Sequence, residues 1–234
     1  MRQLIALVAV AGICIFTAGC HSQSNQGSQA STTTSTTKTK PPPPPVAEAA
    51  LKGFLLSPEE INAAMGATDM KVTNSRTGMS DDSATMTPKE CLAIDGSAQA
   101  QVYANSGFIA ERDQTLDRQE GDNLTHFAEQ AVVLFPTAKQ ASDFFTASAQ
   151  QWQSCHAYTH IQSKTQWTVG ATSNTNGVLS TSSTLQNPPS TGWKACGRAL
   201  AVKNNVIVDV NTCSADPKNS AVDIANQIAA KVPA

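Results

Sequence analysis

The sequence predicts a domain of antiparallel strands packed against helices, and three observations predict it. The first is the stretch Trp193–Cys213, WKACGRALAVKNNVIVDVNTC, two apolar runs about Asn204-Asn205. Asn tolerates positive φ and suits a two-residue hairpin turn. The second is Leu124–Phe135, whose Ala131–Phe135 end is apolar on both faces, as in a central strand covered by helices. The third is a pair of helix starts, Ser57-Pro58-Glu59-Glu60 near one end and Ser220 with Asp223 near the other.

The hairpin sets a register. Cys196 and Cys213 lie equidistant from Asn204-Asn205, so they face each other, at a non-hydrogen-bonded position where the chains come closest. That separation is near the short end of what a disulfide accepts. One face of the hairpin carries Gly197, Ala199, Ala201, Val206, Val208 and Val210, small residues opposite β-branched ones, which suits a closely packed helix. The other face carries Cys196, Arg198, Leu200, Val202, Ile207, Asp209, Asn211 and Cys213, and turns polar towards the disulfide end. Arg198 and Asp209 are diagonal neighbours there and are expected to pair. This second face is the one expected to be reached by water or a ligand, and Arg198→Ala is expected to alter binding with little loss of fold.

The N-terminus says where such a bond forms. Met1-Arg2-Gln3 is a short basic start, and Leu4–Phe16 is an apolar run too short to span a membrane and right for a signal segment. Thr17-Ala18-Gly19-Cys20 follows, small residues before a Cys, similar to the bacterial lipobox although Thr17 stands where Leu is usual. The reading is a signal peptide over 1–19 and lipidation of Cys20, anchoring the chain on the outer face of the cytoplasmic membrane at ~0.8 kcal/mol per buried methylene. The alternative is plain secretion with cleavage near Ala18. Cys14 leaves with the signal and Cys20 takes the lipid, so Cys91, Cys155, Cys196 and Cys213 remain. Pairing Cys196 with Cys213 leaves Cys91 for Cys155. On the chain-entropy model the short loop contributes about 3 kcal/mol and the long one about 4. A zinc site is the rival reading, but no CxxC spacing exists and an exported context favours disulfides.

Residues 20–50 read as a lipid-anchored linker rich in Ser, Thr and Pro, with five prolines at 41–45. It lacks the apolar content for a core and acts as a tether, flexible and then stiff. The Thr cluster at 32–37 is either a site of O-linked sugar or plain solvated chain. The folded domain is expected over 51–234. Within it Met70–Val72, Gln99–Tyr103, Phe108–Thr115, Gln166–Val169 and Val178–Thr184 read as strands. Ala138, Ala141, Phe144, Phe145, Ala149 and Trp152 recur at helical spacing up to Cys155 and read as core. Glu111, Asp113, Asp117, Glu120 and Asp122, alternating with Arg112 and Arg118, read as a solvated edge or loop, with a calcium or partner site as the alternative.

Several of these motifs together are familiar. His126–Pro136, then Ala138 and Ala141, then Trp152-Gln153-Ser154-Cys155, with Leu55–Glu60, Tyr103, Ser106-Gly107 and Ala110–Gln114, resemble the extracellular sensor domain of mycobacterial PknH-type Ser/Thr kinases. The resemblance covers about residues 50–233 and joins its motifs in order. It implies an α+β fold with a twisted antiparallel sheet, helices, a large cleft for an unidentified ligand, and disulfides paired first-to-second and third-to-fourth. It also implies a cell-envelope binding module, since the domain occurs in stand-alone lipoproteins as well.

Chemistry is less legible. The formal charge is −2 with no Lys/Arg run, so nucleic acid is not an expected partner. No GxSxG, HExxH or phosphate loop appears, and no cofactor or metal is expected. His156 and His160 are four apart but follow the Cys that closes a helix. The parts of a Ser-His-Asp triad scatter in sequence, and nothing here points to one. Three readings are carried. The preferred one is a non-catalytic binding or sensor lipoprotein that receives an envelope small molecule, glycan or lipid. The second is a module that docks on a membrane protein, and the third an envelope hydrolase. Candidate ligand contacts are Arg198 and Asp209, with Arg112 and Trp193 behind them; Trp167 and Trp193 each read as a half-buried packing residue or as a groove residue that stacks on a sugar or lipid.

Overall fold

The structure, a computed structural model, describes residues 43–234. The signal segment, Cys20 and most of the linker lie outside the described residues. Packing begins a little before Leu51. The Val46 amide donates to Asn205 Oδ1 at 2.7 Å, and a 3-10 helix over Glu48–Phe54 buries Leu51 and Phe54.

Helix α1 (Pro58–Met65) forms where its signals predict. Ser57 Oγ accepts from the Glu60 amide, the Glu60 carboxylate accepts from the Ser57 amide, and Gly66 closes the helix at φ 65. Strand β1 (Lys71–Arg76) and the two-residue β2 (Met86–Thr87) follow, then short helices α2 (Leu92–Asp95) and α3 (Ala100–Tyr103). The long hairpin β3 (Ala110–Glu120) and β4 (Asn123–Leu134) leads into α4 (Ala138–Gln151). Four strands come next, β5 (Ala157–His160), β6 (Gln166–Val169), β7 (Ser173–Thr175) and β8 (Val178–Leu185). The chain ends in the hairpin β9 (Ala195–Lys203) and β10 (Val206–Ser214), and helix α5 (Ser220–Lys231). All ten strands form one antiparallel sheet, ordered β1-β3-β4-β10-β9-β8-β6-β5-β2, with β7 paired to β8.

The hairpin register is as expected. Val206 pairs Lys203, Asn204 takes φ 52, and Cys196 lies opposite Cys213 with 4.1 Å between Cα atoms. Both disulfides form, Cys91–Cys155 and Cys196–Cys213. Each face of the sheet carries its own core. Val206, Val208, Val210, Ala199, Ala201 and the even-numbered apolar residues of β4 pack on α5, α1 and the 3-10 helix. Gly197 lies close under α5: a Cβ there would stand 3.4 Å from Ala221 Cβ and 3.2 Å from Thr212 Oγ1. Val133, Phe135, Leu200 and Ile207 on the opposite face pack under α4 and the 91–103 segment.

Three readings of the sequence change. Residues 99–103 are not a strand: Val102 and Tyr103 amides both donate to Gln99 O, and Tyr103 turns inward to stack on Phe144 at 4.3 Å. Five residues are too few for periodicity to separate helix from strand, and tertiary packing decides. The alternating charges at 111–120 are not a loop but most of β3, which turns into β4 at Gly121, φ 60. Ser220 lies inside α5 rather than capping it, and its hydroxyl meets Thr212 Oγ1 at 2.8 Å.

Candidate functional site

Helix α4 covers only one end of its sheet face. At the other end, around the Cys196–Cys213 disulfide, a cleft of about 710 Å³ is left. Its floor is Thr115 and Asp117 of β3, Phe127 and Glu129 of β4, and Asn211, Cys213 and Cys196 of the final hairpin. Strand β1 supplies one wall through Thr73, Asn74 and Arg76. Tyr158, His160 and Trp167 of β5 and β6 supply the other, with Trp193 beside them, and Asp95, Gly96 and Gln99 close the back.

The period-2 alternation of strands makes this floor. Odd-numbered residues of β3, of β10 and of β4 from Phe127 on point to the cleft face, so Thr115, Glu129 and Asn211 lie in one row across the sheet, and Asp113, Ala131 and Asp209 in the next. Arg76 ties the edge strand to that layer. Its Nε lies 3.2 Å from both Asp113 carboxylate oxygens, and Nη2 donates to Glu129 Oε1 at 2.6 Å. Ser97 Oγ donates to the other Glu129 oxygen at 2.5 Å. Burial raises the Glu129 carboxyl above its usual range, against the opposing pull of Ser97 and Arg76. Next to this group, Glu111 is 1 % exposed and neither of its oxygens meets a donor. Burial first, then hydrogen bonding and charge from Asp113, push it up to about 8. The acidic stretch read as solvated thus has two members, Glu111 and Asp113, inside the protein.

Arg198 and Asp209 form the predicted pair, but they lie under the cleft rather than in it. They are 4 % and 1 % exposed, so the face expected to meet water is closed here by the 96–103 segment. Arg198 Nη1 donates to Asp209 Oδ1 at 2.5 Å and to Val210 O, and Nη2 to Gly96 O at 2.9 Å. Its guanidinium sits 5.2 Å from the Trp152 ring centroid. Asp209 Oδ2 accepts from the Ala98 amide at 3.0 Å and Tyr103 Oη at 2.9 Å. This knot holds the back wall on the sheet, including Ala98 in a left-handed conformation at φ 45. Asn211 Nδ2 donates to Asp95 O, and Asp95 Oδ1 meets His160 Nε2 at 2.8 Å. That hydrogen bond raises the His160 pKa, against the opposing effect of burial.

Arg112 is elsewhere. It is even-numbered on β3, so it lies on the α5 face, where Nη2 pairs with Glu48 at 2.7 Å. Trp193 does line the cleft, half-buried, its ring 5.5 Å from Phe127. Trp167 lines it too, stacked on Tyr158 at 6.0 Å. Sequence reasoning does not single out Arg76, Asp95, Asp117 or Glu129 as contacts. The alternation in β3 and β4 is the available signal for the last two; nothing local marks the first two.

A disulfide-stapled antiparallel sheet with helices on both faces and a cleft at one end defines an α+β domain of exported type. The chain belongs to the PknH-like extracellular domain family, which matches residues 46–231. It is 36 % identical over 191 residues to the serine/threonine-protein kinase PknH of Mycobacterium bovis, and equally to that of Mycobacterium tuberculosis. These alignments cover 80 % of this chain but 31 % and 30 % of the kinases, so the chain spans under a third of their length. The crystal structure of the extracellular domain of PknH from Mycobacterium tuberculosis matches with a TM-score of 0.74 at 34 % identity, over 80 % of this chain and 97 % of that one. The matched part is the extracellular, non-catalytic domain.

Proposed function

We propose that this chain is an exported, lipid-anchored binding protein whose cleft receives a small molecule, glycan or lipid of the cell envelope. The observation that carries the reading is the cleft itself: about 710 Å³, left open by α4, with aromatic walls and a charged floor fixed by a hydrogen-bonded layer beneath. Such a site is concave, preorganised and mixed in polarity, which is what a small ligand requires. The Arg198–Asp209 knot acts as its support and not as a contact. Anchoring through Cys20 rests on the apolar run Leu4–Phe16 and the small residues before that Cys. The test is a thermal-shift screen with fractionated envelope extract. A fraction that raises the midpoint supports the reading, and no stabilisation by any fraction counts against it.

A further inference from the structure

The charge and the aromatic surface of the cleft narrow what enters it, given that the cleft is the binding site. Four acidic side chains line it, Asp82, Asp95, Asp117 and Glu129, against two basic ones, Arg76 and His160. Both basic groups are already engaged, Arg76 by Asp113 and Glu129, His160 by Asp95. No free cation among the lining residues is left to meet a phosphate or a carboxylate. Asp117 Oδ2 accepts from Thr73 Oγ1 at 2.8 Å, while Oδ1, closed off from solvent, has no partner among the described residues. Strand register places this acid beside an aromatic surface: Asp117 pairs Phe127 across β3 and β4, and Phe127 meets Trp193 at 5.5 Å. On the facing wall Trp167, 7 % exposed, has an indole N–H with no acceptor among the described residues. Aromatic faces beside carboxylate and amide oxygens suit a ring with apolar C–H faces and O–H or N–H edges. An anion meets uncompensated negative charge there, whose desolvation makes rejection stronger.

We propose that the cleft takes an uncharged or amino-bearing sugar ring of an envelope glycan, stacked on Trp193 and donating hydrogen bonds to Asp117, and that it rejects anionic ligands. The experiment titrates the purified chain with three probes, following tryptophan fluorescence and amide chemical shifts. The probes are N-acetylated chitotriose, its deacetylated amino form, and trigalacturonic acid; vesicles of phosphatidylglycerol serve as a fourth arm. The neutral and amino sugars are expected to bind at least about tenfold tighter than the uronate. Trp193→Ala is expected to weaken them about tenfold, with Trp193→Phe retaining most of the affinity. Asp117→Asn is expected to narrow the gap to the uronate. Equal or tighter binding of the uronate or the vesicles, lost in Trp193→Ala, overturns the sugar assignment and leaves the cleft as a site. Stabilisation by an envelope fraction with no response to any sugar does the same. No response to sugars, vesicles or envelope fractions removes both readings.

Discussion

Arg198 and Asp209 form an ion pair on the sheet's cleft face, under the 96–103 segment, 2.5 Å apart and almost wholly out of water. Main-chain and tyrosine groups surround the pair with further hydrogen bonds, so its role is to fix the back wall. Removing one partner strands the other in a dry site. Arg198→Ala is expected to cost about 3–5 kcal/mol, read from urea unfolding, in place of the mild effect its sequence position suggests. The double change Arg198→Met with Asp209→Leu is expected to cost less than the sum of its two single changes.

Stability is expected to fall as pH rises from 5 to 8. The ordinary value for Glu111 is 4.5, against about 8 in the fold, so folding takes up a proton between those values. The stability this proton contributes is complete below pH 4.5 and is lost as pH climbs to 8. Each tenfold gain in proton affinity on folding is worth roughly 1.4 kcal/mol. Glu129 and His160 are raised too and push the same way; the His160 contribution is present below its ordinary 6.5 and lost as pH passes its folded value. Glu111→Gln removes the titrating carboxyl at similar size. Melting midpoints at pH 5 and 8.5 are expected to differ less in this variant than in the parent.

The two cores separate two of the candidate contacts. Arg112 is paired to Glu48 on the α5 face, whereas Trp193 lines the cleft. With whichever envelope fraction stabilises the parent, Arg112→Ala is expected to leave the thermal shift unchanged and Trp193→Ala to reduce it strongly.

Anchoring is a separate matter. Cys20→Ser is expected to abolish labelling by an alkyne palmitate analogue and to move the protein from the membrane pellet to the soluble fraction. Retained labelling would rule out Cys20 as the lipid site.

How far the sequence carries depends on whether the deciding partners are local. The final hairpin is legible because turn, cysteines and alternation lie within one short stretch. Helix α1 is legible because its cap, proline and closing glycine are neighbours. Glu111 and Asp113 are not, since alternating charges look solvated until Arg76 and Glu129 are brought beside them by strand pairing. Arg198 and Asp209 are legible as a pair but not as a buried one, for a similar reason: residues 96–103, which bury them, come from more than 90 positions away. Trp193 is legible as a cleft residue because it adjoins the disulfide end, where the hairpin's polar face emerges.

The most direct test of the cleft is a chemical-shift map. The isotope-labelled chain is titrated with the stabilising envelope fraction, and the perturbed amides are assigned. The cleft reading predicts that they cluster on Asp117, Phe127, Trp167, Trp193 and Asn211, with the α5 face silent. Perturbations confined to α1, α5 and the even-numbered residues of β3 would contradict it.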